Sequence, residues 1–158
     1  MKKLVIAVML MCFAFAKAYS QQPVQTNSTV VEKLKPADAV KEFFNHFHKK
    51  DTTAMRAMMT PSITLHSLII SKSKGRRVMN TPITAFLQGI GQIPDSVKIE
   101  ERLIQIKTTN SADIASVNAS YEFYVDEEFS HNGTNVFTLV FIDDKWIISG
   151  ITDTRYYP

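Results

Sequence analysis

The chain has a single cysteine, Cys12, and that residue lies inside an N-terminal export pattern. A mature domain without cysteine forms no disulfide, offers no thiol nucleophile and has no cysteine metal site, so its stability rests on its core and on any oligomerisation. An excess of one charge is also missing. Three of the 18 basic residues are Lys2, Lys3 and Lys17, while none of the 15 acidic residues precedes Glu32, which leaves 15 of each sign beyond residue 18. Such a balance gives no electrostatic footprint for a nucleic-acid backbone, and Lys72, Lys74, Arg76 and Arg77 read as a solvated hairpin rim. Beyond the leader no apolar run approaches the ~20 residues of a spanning helix, so no integral membrane segment is expected after cleavage. Internal repeats and low-complexity tracts are absent.

What is present begins with the leader. Lys2 and Lys3 form a positive n-region, Leu4 to Phe15 an apolar h-region, and Ala16-Lys17-Ala18 a small-x-small cleavage site. Residues 1–18 therefore read as a signal peptide, and the mature chain as exported, periplasmic or secreted. The bulky Met11 before Cys12 does not fit a lipidation site, so Cys12 is expected to leave with the leader. Residues 19–35 lack a sustained period and read as a flexible segment. The remaining residues, 36–158, make one domain of ordinary size.

Pro36 suits a first helical position, Asp38 a first turn, and Val40, Phe43, Phe44 and Phe47 recur at i, i+3, i+4, i+7. Asp51 or Thr52 opens a second, shorter helix that buries Ala54, Met55, Met58 and Met59 and stops at Pro61. Residues 62–70 read as a strand, 71–75 as a turn and 76–80 as its return. Thr81-Pro82 opens a third helix with Ile83, Phe86, Leu87 and Ile90 on one face and Gly91 as its stop. Then come only strands, over 97–107, 113–125, 128–142 and 145–154, separated by turn residues as in an antiparallel meander. These strands carry more Tyr, His, Asn, Glu and Arg than a plain sheet needs, which points to a polar-lined pocket.

The order of elements, three helices with a hairpin between the second and third and then a long meander, resembles the NTF2-like, or SnoaL-like, superfamily. Phe44-Asn-His-Phe-His48 with Asp51, Leu65-His66-Ser67, Tyr121-Glu-Phe-Tyr124, Ser130-His131 with Gly133, and Trp146-Ile before Asp153-Thr-Arg155 are similar to its bacterial lumazine-binding-like branch. The resemblance implies an α+β fold, a cone-shaped cavity between helices and a curved antiparallel β-sheet, and often a dimer packed through the sheet. The fold hosts many functions, so function has to come from the site.

Asn132-Gly133 is the strongest type I′ turn signal in the chain. A turn there leaves the start of the 113–125 strand unpaired, whereas one at Asp126-Glu127 pairs both strands over their full length. In the latter register Glu122 faces His131 and Tyr124 faces Phe129 on one side, Tyr121, Phe123 and Asn132 share the other, and Gly133 marks a bulge.

His46 lies opposite Phe43 and Phe47 and reads as solvated. His46 and His48 diverge by about 200° at i, i+2 and cannot clamp one metal from a helix; no metal and no cofactor is expected. His48 flanks the apolar stripe and reads as capping or satisfying a local group rather than acting on a ligand. His66 sits mid-strand among Ile63, Leu65, Leu68 and Ile70, either as a pocket residue or as a bonded core histidine. Glu122 and His131 read as an ion pair or an acid/base couple, and Asp153 and Arg155 as a brace or as an anchor for a ligand carboxylate. Tyr121, Phe123 and Trp146 are core or pocket-wall aromatics. The ligand-binding set is thus His66, Tyr121, Glu122, Tyr124, His131, Asp153 and Arg155.

The leading functional reading is an exported, non-catalytic domain that binds a small molecule. One alternative is an isomerase, dehydratase or hydrolase in which His66 or the Glu122 and His131 couple moves a proton; no carboxylate can be placed beside His66 from the sequence. Another is an interaction module acting through the sheet face, favoured if Phe43, Phe47, Met55 and Phe86 plug the cavity. Apolar residues on both faces of the late strands, Val136 and Val140 as well as Phe137, Leu139 and Phe141, point to a homodimer through the outer face.

Overall fold

The computed structural model describes residues 35–158. The leader and most of the 19–35 segment lie outside these residues. Helix α1 (Pro36–His48) forms where Pro36 and Asp38 favour an N-terminus, and it buries Pro36, Val40, Phe43, Phe44 and Phe47. Helix α2 (Thr52–Ala57) is capped by Asp51, whose carboxylate accepts the Ala54 N–H at 2.9 Å. Strand β1 (Met59–Ser71) and strand β2 (Gly75–Asn80) make a hairpin, α3 (Ile83–Gly91) follows, and β3 (Ile99–Ser111), β4 (Ile114–Val125), β5 (Glu128–Ile142) and β6 (Lys145–Tyr157) complete the chain.

Pro61 does not precede the first strand but lies within it. It is exposed in the stretch where the β1–β6 register shifts between Met59 and Thr64, so its missing N–H breaks no regular ladder. The six strands form one sheet in the order β2-β1-β6-β5-β4-β3. The expectation of a wholly antiparallel sheet needs correction: β1 and β6 run parallel, and every other pair is antiparallel. All of β2 to β5 lies between β1 and β6, so no short turn dictates their relative direction.

The β4–β5 turn falls at Asp126-Glu127, both at positive φ (50° and 69°), as a type I′ turn requires. Pairing beyond it differs from the expected register. Ser130 is an extra residue between Tyr124↔Phe129 and Phe123↔His131, and it moves Glu122 opposite Asn132 instead of His131. A slip of one residue exchanges faces, so His131 joins Tyr121 and Phe123, and Asn132 joins Glu122. The bulge is thus at Ser130. Gly133 pairs regularly opposite Tyr121, and its lack of a side chain has another cause: a Cβ there would collide with the Thr154 carbonyl oxygen. Further register shifts at Leu103/Gln105 and Thr138/Leu139 add bend to the long strands.

The core lies between α1 and one face of the sheet. Phe137, fully buried, meets Phe43 and Phe44 edge-on at centroid distances of 5.6 and 5.7 Å. Met55, Val117, Leu139, Ile148 and Trp146 extend this core toward the β5–β6 turn, with Trp146 against Phe141 at 5.1 Å. Toward the opposite end of the sheet the same face turns polar, and there it opens.

Candidate functional site

A cavity of about 430 Å³ lies between the sheet and helices α1 and α3. Its wall is apolar where α1 presents Phe43, Phe44 and Phe47, α3 Phe86 and Ile90, and β5 Phe137. Its other end is made by side chains of the bent sheet: Glu101 on β3, Tyr121 on β4, His131 and Asn135 on β5, and Asp153 with Arg155 on β6. Phe43, Phe47 and Phe86 line this space without filling it. The volume falls in the range of small-molecule sites, roughly 300–1,000 Å³.

The polar end is internally bonded. Arg155 donates from Nε to Asp153 Oδ2 at 2.6 Å, and Asn135 donates from Nδ2 to Glu101 Oε1 at 2.5 Å. Asn135 and Asp153 are paired across β5 and β6, which brings the two bonds side by side. Tyr121 donates its hydroxyl to the Thr154 carbonyl at 2.9 Å, the oxygen that crowds Gly133. His131 stacks on Tyr157 at 4.7 Å, meets Tyr121 edge-on at 5.8 Å, and has Nδ1 3.1 Å from Ser130 Oγ.

Burial governs the charge states. Withdrawal from water pushes the Glu101 carboxyl up to about 8, against the Asn135 hydrogen bond and with help from nearby Asp153. Burial, with Arg155 nearby, pushes His131 down to about 4, and the Tyr121 hydroxyl is raised, again chiefly by burial. Burial also works against the Arg155 charge, but Asp153 outweighs it and the guanidinium pKa moves up. At neutral pH the cluster therefore holds one ion pair, a largely protonated Glu101 and a neutral imidazole.

Of the seven residues selected from sequence, Tyr121, His131, Asp153 and Arg155 converge here. Glu122 and Tyr124 do not. They lie on the opposite face, where Tyr124 donates to Glu122 Oε2 at 2.8 Å and carries the Arg102 guanidinium 3.9 Å above its ring. The one-residue bulge at Ser130 is what separates Glu122 from His131. His66 touches the cavity edge, but it pairs with exposed Thr152 while its neighbour Ser67 pairs with Asp153, so strand alternation turns the imidazole to Thr152's side. His48 accepts the Glu101 N–H at Nε2 from 2.9 Å, so the group it satisfies is a distant backbone amide on β3 and not the local one expected. His46 is half-buried between Glu42 and Asp51 at 3.2 and 3.6 Å and is not a solvated surface residue. Among the described residues no cluster of His, Asp and Glu is arranged to hold a metal ion, and no helix is long and apolar enough to cross a membrane.

Sequence reasoning missed Glu101 and Asn135. Ile99-Glu-Glu-Arg102 contains two adjacent acids, and the only sequence signal separating them is parity with Ile99, which puts Glu101 on the buried face. Asn135 has the same parity as Phe137 and Leu139.

No family model and no curated protein matches the chain. Solved structures do. An NTF2-like protein of unknown function from Shewanella baltica is 14% identical, covering 78% of this chain and 91% of its own, at a TM-score of 0.53. ActVI-ORFA from Streptomyces coelicolor is 13% identical over 75% and 93%, at 0.59. A provisionally named dehydratase of the NTF2-like family from Streptomyces avermitilis is 12% identical over 75% and 91%, at 0.58. At such identities the likeness establishes the fold: the chain has the NTF2-like α+β architecture.

Proposed function

We propose that the chain is an exported NTF2-like domain that binds a small molecule in the cavity beneath its sheet and does not transform it. The observation that carries this reading is the cavity's two-ended lining, an aromatic wall facing a cluster of hydrogen-bonded polar groups, which is how small-molecule sites combine affinity with orientation. The binding role rather than a catalytic one follows from how the polar groups are engaged. Tyr121 donates to a backbone carbonyl, Asp153 is held by Arg155, and His131 is a weak base in its buried setting. Export rests on the Lys2 to Ala18 pattern, and the lumazine-binding-like branch on the short motifs quoted above.

Thermal denaturation across a collection of small amphipathic compounds tests the reading. A hit should raise Tm in the wild type and lose its effect when Ser67, buried beside Asp153, is replaced by Trp to occupy the cavity. Hits that survive Ser67→Trp would place binding elsewhere.

One observation favours the enzyme alternative. Glu101, with its carboxyl near 8, holds or accepts a proton close to neutrality, as an isomerase or dehydratase would require. Turnover of any bound compound that Glu101→Gln abolishes, with binding intact, would replace the non-catalytic reading by this one.

A homodimer through the outer sheet face completes the proposal. Ile114 pairs with Val140, and Phe129 with Tyr124, on the face away from α1, and Ile114 and Phe129 remain 65% and 46% exposed.

A further inference from the structure

The mature chain balances its charges, but not evenly along its length. Between Asp51 and Asp95 there is no acidic residue, while Arg56, Lys72, Lys74, Arg76 and Arg77 all fall in that interval. This stretch folds as α2, which carries Arg56, and then β1, β2 and α3, which supply one side of the cavity through Leu65, Ser67, Met79, Phe86 and Ile90. The register places Arg77 opposite Ile69, and Ile69 opposite Arg155. Residues paired across neighbouring strands share a face, so Arg77, Ile69 and Arg155 form one row on the concave side, with the two arginines flanking the isoleucine.

Arg155 itself is only partly used. Asp153 takes Nε, and among the described residues no acceptor engages the two terminal nitrogens, Nη1 and Nη2. The side chain is one-third exposed and lines the cavity. Its free edge is a planar fork whose two N–H groups match the two oxygens of a carboxylate, and the short bond to Asp153 fixes the plane in advance. Resting on the small-molecule reading above, we propose that this free edge of Arg155 receives a ligand carboxylate, so that the cavity takes an amphipathic monocarboxylic acid with its apolar body against Phe43, Phe47 and Phe137. The local charge permits it. A largely protonated Glu101 adds no second repelling carboxylate beside Asp153 and offers an O–H donor, His131 is neutral, and Arg77 supplies a compensating positive charge in the same row. The all-basic β1–β2 hairpin beyond it draws an anion toward this end of the sheet.

Calorimetric titration of the full mature chain with decanoate, decanamide and 1-decanol tests the assignment. Decanoate should bind at least tenfold more tightly than either neutral analogue at pH 7. Arg155→Lys, which keeps the charge and loses the fork, should weaken decanoate about tenfold and leave decanamide unchanged. Arg77→Gln, at an exposed position that tolerates change, should weaken decanoate severalfold at low salt and lose that effect at high salt. Neutral analogues that match decanoate would overturn the carboxylate assignment and leave the cavity as a binding site. Absence of decanoate binding at millimolar concentration would overturn it too, and if the neutral compounds also fail the small-molecule reading falls with it. Should Arg155→Lys not fold, the comparison of acid with amide in the wild type and the Arg77→Gln salt dependence still decide.

Discussion

Replacing Glu101 by Gln should stabilise the protein in alkaline solution and leave it nearly unchanged in acid. The folded carboxyl sits at about 8 against an ordinary value of 4.5, because burial disfavours its charged form. Between those two values the folded state holds a proton that the unfolded chain has released, so stability is fully present below about pH 4.5 and declines as pH rises toward 8. At 1.36 kcal/mol per pH unit, the full shift corresponds to about 5 kcal/mol, a ceiling that coupling to Asp153 and Arg155 reduces to about 2–4 kcal/mol. Glutamine keeps the shape, accepts the Asn135 N–H and never ionises, so the variant escapes the decline. Urea denaturation at pH 4.5, 7 and 9 measures this directly. The gap between variant and wild type should open steadily with pH, and a constant gap at all three values would refute a buried, proton-holding Glu101.

Other outcomes follow from the same geometry. Gly133→Ala should cost about 3 kcal/mol by denaturant titration, since the new Cβ meets the Thr154 backbone oxygen that Tyr121 also requires. Trp146→Ala should cost about 3–5 kcal/mol as a core truncation, whereas His66→Ala should cost under about 1 kcal/mol and leave ligand affinity unaltered, because the imidazole faces away from the Asp153 side. Ile114→Lys with Phe129→Lys should convert a dimer to a monomer in light scattering without lowering Tm of the protomer. The intact mass of the exported protein should correspond to cleavage near Ala18, and retention of Met1 or lipid on Cys12 would contradict the export reading.

The helices were legible because their signals are local. Pro36 and Asp38, the Phe43/Phe44/Phe47 stripe and the Asp51 cap all act within a few residues. The β4–β5 turn was legible only by comparing strand lengths, since Asn132-Gly133 looks like a better turn than the two acids that form it. The site was half legible. Tyr121, Asp153 and Arg155 fall on the inner face by simple alternation, but a single extra residue at Ser130 reverses alternation for His131 and Asn132, which brings His131 to the Tyr121 face and leaves Glu122 opposite Asn132 on the other. A bulge leaves no propensity signal strong enough to be read from one sequence. The placement of His66 depends on its parallel pairing with β6, and Glu101 meets Asn135 across 34 positions of sequence, relations that exist only once the sheet is assembled.

That the cavity holds a small molecule can be read from native mass spectrometry of the protein purified from its own cell envelope, comparing wild type with Ser67→Trp. Wild-type protein should carry a non-covalent adduct that is released on denaturation, ionises as a carboxylate and is missing from the filled variant. Wild-type protein that carries no adduct and gains none when incubated with an extract of the same envelope would contradict it.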